Sequence, residues 1–199
     1  MDVRVDYPFW SQPNKVPDAE IAQALQHSYM GSEGNPSILP APPDRVAVNC
    51  NGDPELPKPN RASLWFDYEG VPALTDPKVD GAYMDSLGWG AFDKGENHRR
   101  EHWATAAIPL VPSFREGRPC TLGVFAHREL FSAVADAMHE RGKLTIANTF
   151  PYAHCFTADL LDVMGVGETN DLSLFHSPGT LSYCRALAYH KPISHMNYG

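Results

Sequence analysis

Apolar positions are scattered through the first 60 residues and become periodic from about position 79 onward. In the first stretch the spacing predicts one helix, Asp18-Ala-Glu-Ile-Ala-Gln-Ala-Leu-Gln-His27, directly after Pro17. Arg45–Cys50 reads as a short strand. The strongest helical period covers Phe125–Gly142. There Phe125, Leu130, Phe131, Val134, Ala135 and Met138 share one stripe, and Gly142 supplies a C-terminal stop. Runs of strand length lie at Val79–Ser86, Lys143–Asn148, Asp162–Glu168 and Lys191–Asn197, the last with Pro192 near its start, where it is tolerated. A short helical turn is expected at Phe156–Leu161 and a second helix at Leu181–His190. The Gly- and His-containing stretch 87–122 reads as a long loop.

The resulting order is β-α-β-α-β-α-β, which implies an α/β fold with a parallel sheet and helical crossovers. The helix 125–141 then crosses between the strands ending at Asp85 and Asn148. Phe125, Leu130, Val134, Met138, Ile146, Val163 and Leu187 form the expected core. Ligand-binding residues of parallel sheets sit at the carboxyl ends of strands. Each strand here ends in polar groups: Asp85 and Ser86, Asn148 and Thr149, Glu168 and Thr169, His195 and Asn197.

Composition narrows the function classes. The chain has 199 residues, enough for one domain spanning 1–199 but short of the roughly 250 of a complete (β/α)8 barrel. Ten of the eighteen prolines fall within residues 1–60, so that part is expected to be loops and extended pieces. The net charge of −8 argues against nucleic-acid binding, which needs a basic face. No window approaches the roughly 18 apolar residues of a membrane span, and the start of the chain has no signal-peptide pattern. Cys50, Cys120, Cys155 and Cys184 lie too far apart for a C-x-x-C motif and are read as buried thiols rather than two disulfides. Phosphate-loop, dinucleotide and serine-hydrolase signatures are missing, and no cofactor is expected.

Asp85 and Glu168 are the sharpest pair. Glycoside hydrolysis uses two carboxyl groups across the scissile bond, one ionised and one protonated. Strand ends two strands apart can hold them at that distance, the plain alternative being that each is a turn residue. Trp65, Phe66, Tyr68, Tyr83, Trp89, Phe92, Trp103 and Tyr152 lie on or near strand ends and loops. Two or three of these rings, Trp89 among them, can stack on sugar faces, and the rest are expected in the core. A rival motif is His98-Arg-Arg-Glu-His102, the inverted zinc-peptidase pattern. On a helix, His98 and His102 would share a face and bind Zn²⁺, with Glu101 as general base. The stretch is polar on every side, however, and fits a loop better. Arg99 and Arg100 can equally serve substrate hydroxyls or nearby carboxylates. Asp53, Asp67 and Glu69 read as turn residues.

Taken together, Asp80-Gly-Ala-Tyr-Met-Asp-Ser-Leu-Gly88, His98–His102, Lys143–Asn148, Gly165-Val-Gly-Glu168 and Arg185-Ala-Leu-Ala-Tyr-His-Lys-Pro192 resemble glycoside-hydrolase-like (β/α)8 barrels. The resemblance covers roughly residues 45–199. It is nearest to poorly characterised bacterial members close to the alpha-galactosidase and endo-alpha-N-acetylgalactosaminidase barrels. It implies a retaining mechanism with Asp85 as nucleophile and Glu168 as acid/base. Asn148, Arg185, His195 and Asn197 become substrate contacts, and no metal is required. The first strands of a barrel are not recognisable in residues 1–44, so a partial barrel is expected. Its open sheet edges would favour self-association. A non-catalytic carbohydrate-binding or assembly domain is the remaining alternative.

Overall fold

The fold is that of a computed structural model describing residues 16–35, 38–39, 47–48, 51–87, 95–149, 155–168 and 177–196. Helix α1 (Asp18–Ala24) begins after Pro17 and tightens into a 3-10 turn at Leu25–His27. Strands β1 (Ile38–Leu39) and β2 (Ala47–Val48) pair antiparallel, which places the strand expected within 45–50. Prolines do not keep the next stretch irregular. Helix α2 (Arg61–Leu64) continues as a π-helical turn, Trp65–Glu69, and then as α3 (Val71–Thr75). A reciprocal cap starts this run: Ser63 N–H donates to Asn60 Oδ1 at 2.8 Å, and Asn60 N–H donates to Ser63 Oγ at 2.9 Å. Asp67 and Glu69 are therefore helical residues, contrary to their reading as turns.

Strand β3 (Gly81–Leu87) follows. The expected loop 87–122 instead holds β4 (Glu96–Asn97), a short helix α4 (Arg100–Trp103), β5 (Val111–Pro112) and β6 (Pro119–Leu122). These strands form an antiparallel sheet in the order β4-β6-β5. Strands this short, with Pro112 and Pro119 in them, show no alternation in sequence.

The main crossover is α5 (Gly123–His139), which leads to β7 (Leu144–Thr149). Gly142 adopts φ +67°, and Lys143 N–H closes back on the Met138 carbonyl at 3.0 Å. A 3-10 turn (Ala158–Leu160), β8 (Val163–Glu168), α6 (Pro178–Ala188) and β9 (Ile193–Met196) complete the order. The second sheet runs β3-β7-β8-β9 with every pair parallel. This is the α/β architecture read from the alternation, with α5 joining β3 to β7 as expected. Among the described residues the sheet has four strands and does not close into a barrel.

One face of this sheet forms the core. Ala82, Met84, Ala147 and Met164 pack against Leu130, Phe131, Val134 and Met138 of α5. Leu130, Phe131, Val134 and Met138 are wholly buried, and each contributes about 1.5–3 kcal/mol. Phe125, Ile146, Val163 and Leu187 are only half-buried, which corrects the expectation for those four. Phe125 lies at the start of α5 and meets Phe156 edge-on at 5.3 Å beside a smaller cluster of Cys120, Leu122 and Val124. Ile146 alternates with the buried Thr145 and Ala147, so it belongs to the opposite face, where Tyr83 is 43% and Leu144 51% exposed. Gly81 opens β3 hard against the Leu144 carbonyl, leaving no room for a Cβ.

Cys120, Cys155 and Cys184 are free thiols, with Cys155 exposed rather than buried; Cys50 lies outside the described residues. No described helix is long and apolar enough to cross a membrane.

Candidate functional site

Four of the eight candidate site residues lie toward the carboxyl ends of the parallel strands. Asp85 lies on β3, Asn148 on β7, Glu168 at the end of β8 and His195 on β9. Strands in a sheet lie about 4.8 Å apart, so β3 and β8, flanking β7, are separated by roughly 10 Å. Leu87, Thr149 and Val166 share one level of the register, and Glu168 pairs with Met196 further out. Asp85 thus lies two residues before that level and Glu168 two beyond it. The register shifts between Met84 and Leu87 and again between Gly165 and Glu168. Irregularities of this kind re-aim residues and are enriched beside active sites.

The remaining candidates lie elsewhere. Arg185 is exposed in the last turn of α6. That helix leaves the carboxyl end of β8 and ends at the amino end of β9, so Arg185 lies at the opposite edge of the sheet from Glu168. Arg100 is exposed on α4, with its guanidinium 5.9 Å from the centre of the Trp103 ring. Trp89 and Asn197 lie outside the described residues, as do Phe92 and Tyr152. Trp65 is core, and Tyr68 donates to Glu20 Oε1 at 2.8 Å. The antiparallel insertion enters after β3 and runs from β6 straight into α5, whose first residue Gly123 donates to the Gly95 carbonyl at 2.5 Å. It therefore sits beside the carboxyl edge, where βα loops hold binding residues.

Under the insertion lies a buried polar cluster centred on His102. Asn97 Oδ1 accepts from the N–H groups of Met30 and Arg99, both at 3.1 Å, and Asn51 Oδ1 accepts from Asp53 N–H at 3.0 Å. These bonds fix both amides, so each Nδ2 donates to His102 Nδ1, at 2.9 and 3.1 Å. The imidazole must accept there and carries its proton on Nε2. Burial, with Arg99 and His27 nearby, pushes its pKa down to about 4. A cation on Nε2 would need the other tautomer and would break both amide bonds. His98 lies ahead of α4 rather than on it, with Nδ1 3.1 Å from the Pro119 carbonyl. His98-x-x-Glu101-His102 therefore does not present the two imidazoles on one helix face, which corrects the zinc-peptidase reading of that motif.

Glu129 on α5 borders the same cluster and was not singled out from sequence, where it reads as a solvent-facing helix residue. Its Oε1 accepts from Ala107 N–H at 2.8 Å, and its Oε2 has no hydrogen-bond partner among the described residues. Burial, with Asp53 and Glu55 nearby, pushes its pKa up to about 7. Asp53 takes the turn role expected of it, accepting from Glu55 N–H at 2.8 Å, and also accepts from Thr105 Oγ1 at 3.0 Å. This arrangement orders the base of the insertion.

Comparison of the chain with protein-family models, with curated proteins and with solved structures finds no match.

Proposed function

We propose that the chain is a glycoside hydrolase acting at the carboxyl edge of its parallel sheet through Asp85 and Glu168. The observation that carries the reading is topological. Parallel strands in sequential order put both residues in the carboxyl-terminal halves of β3 and β8, with only β7 between them and an offset of four residues, about 13 Å, along the strands. The same order, with the core helix α5 on one face and Tyr83 and Leu144 exposed on the other, supports treating the sheet as an arc of a (β/α) barrel. In a barrel the helix-free face lines the interior.

In the retaining chemistry, Asp85 attacks the anomeric carbon as the leaving-group oxygen takes a proton from Glu168. The covalent glycosyl ester is then hydrolysed by a water whose proton returns to Glu168. Asn148 on the intervening strand and His195 on β9 stand next to these positions as hydroxyl contacts. The net charge of −8 suits a neutral sugar rather than an anionic one.

The test is a panel of aryl α- and β-glycosides offered to the full chain and to Asp85→Asn and Glu168→Gln. Turnover by the parent, lost by on the order of 10³-fold or more in Asp85→Asn with unchanged circular dichroism, supports the proposal. Saturable sugar binding without turnover in the parent, unaffected by Asp85→Asn, would make the chain a binding domain instead.

A further inference from the structure

We propose that Glu96, His98 and Cys120 form a binding site for one zinc-class divalent cation, with solvent in the fourth position. The inference is independent of the glycosidase reading and of the H-x-x-E-H motif, with which it shares only His98.

Strand pairing assembles the site. Glu96 pairs with Leu122 and Asn97 with Thr121 across the antiparallel β4–β6 ladder. Continuing the register sets His98 opposite Cys120. Residues two apart on a strand share a face, and so do residues directly opposite in an antiparallel pair. Glu96, His98 and Cys120 are therefore brought to one face by backbone geometry. Their ligand atoms all lie within 4.8 Å of one another. His98 Nε2 is 3.6 Å from Glu96 Oε2, and the edge of a tetrahedron with bonds of about 2.0–2.1 Å is roughly 3.3–3.4 Å. Side-chain adjustment of an ångström or less would suffice to enclose an ion.

The surroundings orient each ligand. A carbonyl oxygen only accepts, so the contact between His98 Nδ1 and the Pro119 carbonyl, at 3.1 Å, puts a proton on Nδ1. In the neutral ring this turns the lone pair of Nε2 toward Glu96. A backbone carbonyl behind a ligating imidazole is a recurrent support of metal sites. Glu96 is held at both oxygens: Oε1 accepts from Phe114 N–H and Oε2 from Ser113 Oγ, each at 2.7 Å. Glu96 and His98 are 12% and 11% exposed, whereas Cys120 is wholly buried. An ion there would be largely enclosed, with slight contact with solvent past Glu96 and His98. The donor set of thiolate, imidazole and carboxylate selects zinc-class ions over Mg²⁺ and Ca²⁺, which take oxygen ligands. Burial and the Glu96 carboxylate push the Cys120 thiol up to about 11, so binding must release its proton to solvent.

The experiment titrates the chelator-stripped full chain with Co²⁺, a spectroscopic substitute for zinc, and then displaces it with Zn²⁺. The expected result is one ion per chain, a thiolate-to-cobalt charge-transfer band, and indifference to excess Mg²⁺. Cys120→Ser should abolish the band and His98→Ala should weaken binding at least 100-fold, while Cys155→Ser leaves both intact. If Cys120→Ser or His98→Ala fails to fold, Ser113→Ala, which frees Glu96 Oε2 and gives up the bonds that Ser113 Oγ accepts from the Arg115 and Glu116 N–H groups, should still lower zinc affinity by about 10-fold. A parent chain that takes up no cobalt would overturn the proposal and leave Glu96 and His98 a plain ion pair beside a buried thiol. A band that survives in Cys120→Ser would overturn it equally.

Discussion

Arg61 Nη2 donates to Glu69 Oε2 at 2.8 Å inside the fold, with the two side chains only 2% and 3% exposed. The π-helical turn Trp65–Glu69 sets the spacing between them. Removing one partner of a buried pair leaves the other charge uncompensated. Glu69→Ala should therefore destabilise the fold by about 3–5 kcal/mol, read from the urea unfolding midpoint. A loss under about 1 kcal/mol would mean that Arg61 is compensated without Glu69.

Two buried histidines and one half-buried carboxyl set opposing pH dependences. His102 and His127 have pKa values lowered from 6.5 to about 4, by burial first and then by Arg99 and His27 for His102 and by Arg61 for His127. Between those values the unfolded chain binds protons that the folded chain refuses, so stability is lost as pH falls from 6.5 toward 4. Glu129 has a pKa raised from 4.5 to about 7 by burial, Asp53 and Glu55. There the folded chain holds the extra proton, so its contribution is lost as pH rises from 4.5 through 7. These two histidines, with His27 lowered in the same direction, outweigh one carboxyl in the shared window, and just above it Glu129 dominates. Stability should peak near about pH 6.5. Glu129→Gln should abolish the decline on the alkaline side and raise stability at pH 8 by about 1–2 kcal/mol. Thermal melts across pH decide it, and an unchanged profile in the variant would remove Glu129 from the account.

The hold of Asn97 on His102 has its own signature. Asn97→Asp replaces an amide donor facing Nδ1 with a carboxylate oxygen. The ring should then take a proton at Nδ1, and its pKa should rise from about 4 toward the ordinary range. Imidazole chemical shifts followed through a pH titration measure this directly. A pKa that stays near 4 would mean that burial alone governs the ring.

Gly81 tests the strand register. Gly81→Ala drives a methyl into the Leu144 carbonyl, a backbone atom that cannot turn aside. The expected loss is about 2–3 kcal/mol, against a few tenths at most for Gly179→Ala, where the added carbon meets only Ser177 Oγ at 3.8 Å. Equal effects at both positions would contradict the register.

Some of this was legible in the sequence because it rests on local patterns. The α5 stripe and the runs ending at Asn148 and Glu168 carry their period in neighbouring residues, and alternation sufficed for the parallel order. The α2–α3 run was hidden by its proline-rich approach, although Asn60 and Ser63 make a capping pair three residues apart. Strands of two to four residues, such as β4, β5 and β6, leave no period to detect. Arg61, Glu69, Asn97 and His102 look like surface residues until their partners are known. Likewise, Glu96 and His98 acquire Cys120 only through the ladder that pairs Asn97 with Thr121. A sequence shows which side chains are polar but not which polar groups satisfy one another.

Attack of Asp85 on the anomeric carbon would leave a glycosyl ester that covalent trapping can detect. The full chain is incubated with 2-deoxy-2-fluoroglycosyl fluorides of the gluco, galacto and manno series and then digested for mass spectrometry. One adduct per chain is expected on the peptide containing Asp85, absent in Asp85→Asn. An adduct on another carboxylate, or aryl-glycoside turnover that persists in Asp85→Asn, would contradict it.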